Sequence, residues 1–116
     1  MAEQKDQIFN LAFLYEFTEG DKTLMLHFIN KFLDNYPKEA DAVEKALVLK
    51  DRKAVYLAVH SWRPQFEFVG MQDAASQLLE IEHGARDEMS FEQMHLIFQQ
   101  VQDQLKQLPE AKEWIL

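Results

Sequence analysis

The sequence predicts an all-α domain, on three observations. Gly and Pro number three each in 116 residues, too few for a turn-rich β architecture. Glu, Gln, Lys, Leu and Ala dominate while β-branched residues are few, a composition that favours helix. Apolar residues recur at steps of three and four, the spacing that lines up one face of a helix. Long amphipathic segments joined by short loops predict an antiparallel up-down four-helix bundle, with one or two extra helices at the N-terminal side. The length fits one domain over 1–116.

In chain order, residues 1–7 are polar and expected to fray. Ile8 to Phe17 is a short helix candidate, with Phe9, Ala12, Phe13 and Phe17 on one side. Gly20 reads as a stop and Asp21 as the N-cap of a helix from about Lys22 to Asn35. Its expected inward line is Leu24, Phe28, Phe32 and Tyr36. Pro37 marks a boundary or a kink. A helix from about Lys38 to Lys50 follows, with Ala40, Val43, Ala46 and Leu47 as its stripe. The apolar phase runs on through 36, 40, 43 and 47, so one bent helix is equally consistent.

Asp51 caps the next helix, which Gly70 closes in a left-handed conformation. Val55, Val59, Trp62, Phe66 and Val69 are its stripe. Met71 to Arg86 forms another helix, with Ala74, Ala75, Leu78, Ile81, Glu82 and Ala85 inward or nearly so. After a turn at Asp87–Met89, Ser90 caps a last long helix from Phe91 to about Leu108, supported by Glu92 and Gln93. Phe91, Met94, Phe98, Val101, Leu105 and Leu108 keep the period of bundle packing. Pro109 ends it, and Trp114, Ile115 and Leu116 form an apolar tail able to fold back.

Composition narrows the function. The net charge of −8 repels a phosphate backbone, so nucleic acid is not an expected partner. Without cysteine there is no disulfide framework and no thiolate zinc site. No apolar run approaches the roughly 20 residues of a membrane span. MAEQKDQIFN lacks the apolar core of a secretion signal. A soluble, cytoplasmic, monomeric protein is expected, with no membrane association.

The titratable side chains sort by position. His27 reads as a packing or edge residue, and His83 and His95 as surface residues. Glu80/His83 and Glu92/His95 have the Glu-x-x-His spacing of di-iron bundles, but both pairs fall off the apolar stripes. A metal-binding bundle is therefore the weakest reading, and no metal ligand is assigned. No Gly-x-Ser-x-Gly elbow and no Gly-rich phosphate loop exist, so autonomous kinase activity is not expected.

His60 differs from the others. It lies roughly 140° from the centre of its helix's apolar stripe, so the ring should stand in water. Tyr56, Arg63, Pro64 and Glu67 share its side. Arg63, three residues on, can reach a group attached to the imidazole. Ser61 and Gln65 are candidate hydrogen-bond donors. Leu57 and Phe68 also face outward, an apolar surround that suggests docking. A lone surface histidine usually carries no function; this setting is what singles His60 out.

The run VHSWRPQFEFVGM resembles the histidine-containing phosphotransfer (HPt) domain of two-component phosphorelays. That family's pattern is His, Leu two later, Lys at three, Gly at four, a Ser-like residue at five and a Gly at ten. Here His60 takes the phosphoacceptor place, Trp62 the buried Leu, Arg63 the Lys, Gln65 the polar position and Gly70 the terminating Gly. FLYEFTEGDKTLMLHFINKFLDNYP resembles the family's N-terminal pattern. LLEIEHGAR resembles the helix after the active one, with Glu82 and Arg86 in their usual places. Pro64 departs from the family's Gly. It removes one helix hydrogen bond and presses on the carbonyl of His60, yet leaves the imidazole approachable. Glu67 adds a negative charge near any phosphate.

The resemblance implies a phosphocarrier without a cofactor of its own. His60 would take a phosphoryl group from an Asp of a response-regulator receiver domain, or from a hybrid histidine kinase, and pass it on. Arg63 would steady it, with Gln65 or Ser61 adding a hydrogen bond. Tyr56, Leu57, Ser61, Pro64, Glu67 and Phe68 would form the docking surface. A non-catalytic module that docks a receiver or kinase is the alternative.

Overall fold

Three short polar side chains start three of the long helices. Asp21 accepts from the Leu24 amide, Asp51 from the Ala54 amide and Ser90 from the Gln93 amide, at 3.1, 3.1 and 3.0 Å. Each thereby satisfies an amide with no intrahelical partner. The computed structural model describes residues 9–115 and is helical, with no strand among them. The helices are α1 (Ala12–Phe17), α2 (Lys22–Val48), α3 (Arg52–Phe68), α4 (Gln72–Arg86) and α5 (Phe91–Lys106), followed by a 3₁₀ turn over Ala111–Ile115. Residues 1–7 and Ile8, expected to fray and to begin the first helix, lie outside the described residues, as does Leu116.

α2 packs on α3, α3 on α4, α4 on α5 and α5 back on α2, with the 3₁₀ turn also against α2. The stripe of α3 read from the sequence is the stripe observed: Val55, Val59, Trp62 and Phe66 are all buried. The six inward residues expected on α4 are buried too, Glu82 included. α5 buries Met94, Phe98, Val101 and Leu105 as its period requires, and Ile97 in addition. Trp62 buries its indole fully, and its Nε1–H has no acceptor among the described residues. Among the described residues, no helix is long and apolar enough to cross a membrane.

Of the two readings left open at Pro37, the single helix is the one observed, and the expected inward line of α2 is corrected. The chain does not break at Pro37, which sits inside one helix from Lys22 to Val48. Continuous burial of Ala40, Val43, Ala46 and Leu47 on the same wall holds the two halves together. The inward line before Pro37 is Met25, Ile29 and Phe32, while Leu24 is 39% exposed. The sequence carries two adjacent apolar lines there, and packing chose between them. The second line serves another purpose: Phe28 meets Phe17 and Phe68 edge to face, at 5.8 and 5.0 Å between ring centres.

The first helix begins later than expected, at Ala12, whose amide donates to the Asn10 side chain. The segment before it crosses the turn between α3 and α4. The Asn10 amide donates to the Gly70 carbonyl at 2.9 Å, and Gly70 adopts φ 75°. A Cβ there would stand 1.7 Å from the Asn10 carbonyl oxygen. Gly70 therefore serves both the left-handed turn and the close crossing. Nearby, Phe9 stacks on Trp114 at 4.2 Å, and Trp114 donates to the Pro109 carbonyl. The C-terminal tail folds back and is tied to the N-terminal segment.

Candidate functional site

α3 carries His60 on the side facing α4, because its buried stripe turns residue 60 away from the core. The side chain is 55% exposed. It is not free, however. Its Nδ1 lies 3.0 Å from Oε2 of Glu82 on α4. The other oxygen of that carboxylate, Oε1, accepts from Arg63 Nε at 3.0 Å. One buried carboxylate thus holds both the imidazole and the guanidinium side by side. Tyr56, one turn before His60, stacks on the ring with centres 5.5 Å apart and planes 6° apart.

Glu82 is only 7% exposed in its side chain. Burial alone would raise its carboxyl pKa, but the hydrogen bonds from His60 and Arg63, with the Arg63 charge, outweigh that and hold it below the ordinary value. The carboxylate is therefore ionised near neutrality and can only accept. In the neutral ring, the proton then sits on Nδ1 and the lone pair on Nε2. Nε2 has no hydrogen-bond partner among the described residues.

The cation expected to steady a group on His60 is itself paired with two carboxylates. Arg63 is 17% exposed, and beyond Glu82 it gives Nη1 to Glu67 Oε2 at 2.8 Å. Its pKa is raised, first by the hydrogen bond to Glu82. Glu67, expected as part of the docking surface, is the second partner of this fork.

The remaining candidates separate. Ser61 turns its hydroxyl onto the Ala58 carbonyl at 3.2 Å, back along its own helix. Gln65 lines a hollow of about 440 Å³ with Phe28, Lys31, Phe32 and Val69, on the α2 side of α3. Among the described residues, neither side chain hydrogen-bonds His60. Leu57 stands 52% exposed. Pro64 and Phe68 line that hollow and a second one shared with Phe13 and Glu67. Phe68 is half-buried rather than free, meeting Phe13, Phe17 and Phe28 edge to face.

Glu82 is the residue that sequence reasoning counted as inward but did not place in the site. The signal was available: an acid on the apolar stripe of α4, between Leu78 and Ala85, needs a partner. Phe13 and Phe17 were also not assigned to the surface beside Phe68, because their role depends on where α1 docks.

The Glu-x-x-His pairs do not converge. Glu80, His83 and Glu92 are exposed, and His95 pairs instead with Glu44 of α2 at 3.2 Å. Among the described residues, no three His, Asp or Glu side chains form a group able to hold a metal ion. His27 meets Phe28 edge to face at the surface. In comparisons with known proteins, the chain matches no family model, no curated protein and no solved structure.

Proposed function

We propose that this chain is a histidine phosphotransfer protein. It relays a phosphoryl group between Asp side chains of response-regulator receiver domains through phospho-His60, in the cytoplasm. In this reading the four long helices form an antiparallel up-down bundle, and the chain acts as a carrier without kinase activity or a resident cofactor. The observation that carries it is the hold of Glu82 on Nδ1. It leaves Nε2 as the unprotonated, outward nitrogen of an exposed ring.

The chemistry follows from that hold. Nε2 attacks the phosphorus of an aspartyl phosphate. The N–P bond forms, the P–O bond breaks, and the electron pair leaves with the Asp carboxylate. The ring keeps its Nδ1 proton and gains positive charge, which the Glu82 carboxylate offsets at 3.0 Å. The same geometry serves the return step, when a second receiver's Asp takes the phosphoryl group and the pair returns to Nε2. Phosphoryl transfer needs positioning and charge neutralisation more than covalent help, and the receiver brings its own Mg²⁺. Tyr56, by stacking, limits rotation of the ring. Leu57 and Pro64, each about one turn from His60 along the helix, and the aromatic group of Phe13, Phe17 and Phe68 beyond Pro64 offer an apolar docking surface.

Incubation with a phosphorylated receiver domain should yield acid-labile, alkali-stable label on the protein. His60→Gln should remove it. Label that survives this substitution would overturn the assignment.

A second reading is favoured by one observation. Arg63 is already shared between Glu82 and Glu67, so the cation expected to meet the phosphoryl group is engaged. In that reading the bundle docks a receiver or kinase without transfer. Receiver binding with no phosphohistidine formed would establish it.

A further inference from the structure

Arg63 lies between two claims on its fork. His60 is three residues before it and Glu67 four residues after, on one side of α3. His60 and Glu67 stand about 10 Å apart along the helix axis. The Nε of Arg63 is committed inward, to the buried Oε1 of Glu82. Because His60 takes Oε2 of the same carboxylate, the guanidinium lies alongside the imidazole. Its outer arm, Nη1, is drawn down the helix by Glu67 at 2.8 Å. The Glu67 side chain is half exposed, and among the described residues no other cation is paired with it.

We propose that Glu67 competes with an acquired phosphoryl group for the outer arm of Arg63, and so keeps phospho-His60 loosely held and readily passed on. This rests on the carrier reading of His60. Before transfer, Arg63 and Glu67 neutralise one another at the surface. Once Nε2 carries a phosphoryl dianion, Nη1 can meet it only by leaving Glu67, which then stands unpaired near a second negative charge, while Nη2, with no hydrogen-bond partner among the described residues, can meet it only as part of a cation already neutralised by two carboxylates. The phosphorylated form therefore gains less from Arg63 than it would without Glu67. A carrier must release its cargo as well as accept it, and a tightly bound phosphoryl group is a poor donor. Glu67 acts through Arg63 and is a positioning residue.

The test uses phosphoramidate, a small phosphoryl donor. Nε2 forms the N–P bond, the donor's own P–N bond breaks, and ammonia leaves with the electron pair and a proton from solvent. The second ionisation of the phosphoryl group is then followed by ³¹P NMR titration in the full-length protein. Glu67→Gln should favour the dianion by about two- to fivefold, the range an exposed ion pair spans, and so lower that ionisation by about 0.3–0.7 pH unit. The exchange equilibrium with a receiver should move toward phospho-His60 by a similar factor. The effect should vanish when Arg63→Gln is added. Glu67→Asp, which keeps the charge on a shorter arm, should give part of it.

An unchanged ionisation in Glu67→Gln would overturn the proposal and leave the carrier reading standing. So would an equal shift with and without Arg63, since that is direct repulsion rather than competition. If the wild-type protein takes no phosphoryl group from either phosphoramidate or a phosphorylated receiver, the carrier reading fails, and this inference with it.

Discussion

Glu82 and His60 belong to different helices, yet the Oε2 of one sits 3.0 Å from the Nδ1 of the other. A carboxylate that is buried and ionised selects one imidazole tautomer. Imidazole ¹⁵N shifts of the neutral ring should show His60 protonated at Nδ1. In Glu82→Ala the ring should return to a mixture in which the Nε2–H form is populated. Identical spectra would mean that the hydrogen bond does not persist in solution.

The same carboxylate contributes to stability with a definite sign against pH. Its folded pKa lies below the ordinary value of 4.5. Its contribution is therefore complete above that value and is lost as pH falls through the lower, folded value. Urea unfolding followed from neutral to acid pH should show this limb in the wild type and a shallower one in Glu82→Gln. Near neutrality Glu82→Ala should cost about 1.5–3 kcal/mol, because His60 and Arg63 lose a charged hydrogen-bond partner while Arg63 keeps Glu67. A loss under about 1 kcal/mol would show that water satisfies the site instead.

Gly70→Ala should destabilise more than its size suggests. A left-handed alanine costs about 1–2 kcal/mol by itself. Here the new Cβ would also meet the Asn10 carbonyl at 1.7 Å, so the N-terminal segment must lift. The Asn10–Gly70 hydrogen bond and the stacking of Phe9 on Trp114 should be lost together. A lower melting temperature with a red-shifted tryptophan emission is the expected result.

Asp51→Ala separates stability from function. The side chain caps α3 through the Ala54 amide, and its loss should cost about 1 kcal/mol. His60 lies more than two turns further on and is held by Glu82. Denaturation midpoints should fall while the rate of phosphoryl uptake from phosphoramidate stays within error.

Leu57→Ala should do the opposite. Leu57 is exposed beside the imidazole and has no place in the core. Stability should change by no more than about 0.5 kcal/mol. Uptake from a receiver should slow, while uptake from phosphoramidate, which needs no docking, should not.

Much of the architecture was legible along the chain because helices announce themselves locally. Asp51, Ser90 and Asp21 carry cap chemistry that acts within three residues. The stripes of α3 and α4 follow from a period of about 3.6, and both were read correctly, down to Glu82 on the buried side. The start of α1 was less legible, since a six-residue helix has little periodicity to read. α2 was ambiguous for a different reason. Leu24 and Met25 head adjacent apolar lines, and only the position of the neighbouring helices decides which one is buried. The end of α2 carries no glycine, and Lys50 takes the positive φ there instead.

The sequence by itself determined that the chain is helical and that residue 60 points away from its own helix's core. Both follow from spacing along one segment. Only the tertiary structure decided what the imidazole and the guanidinium touch. Glu82 lies on another helix, twenty-two residues from His60, and no local rule aims one side chain at another across a bundle. The packing of α3 on α4 brings one carboxylate between two basic groups, and the cost of burying that charge unpaired holds all three together.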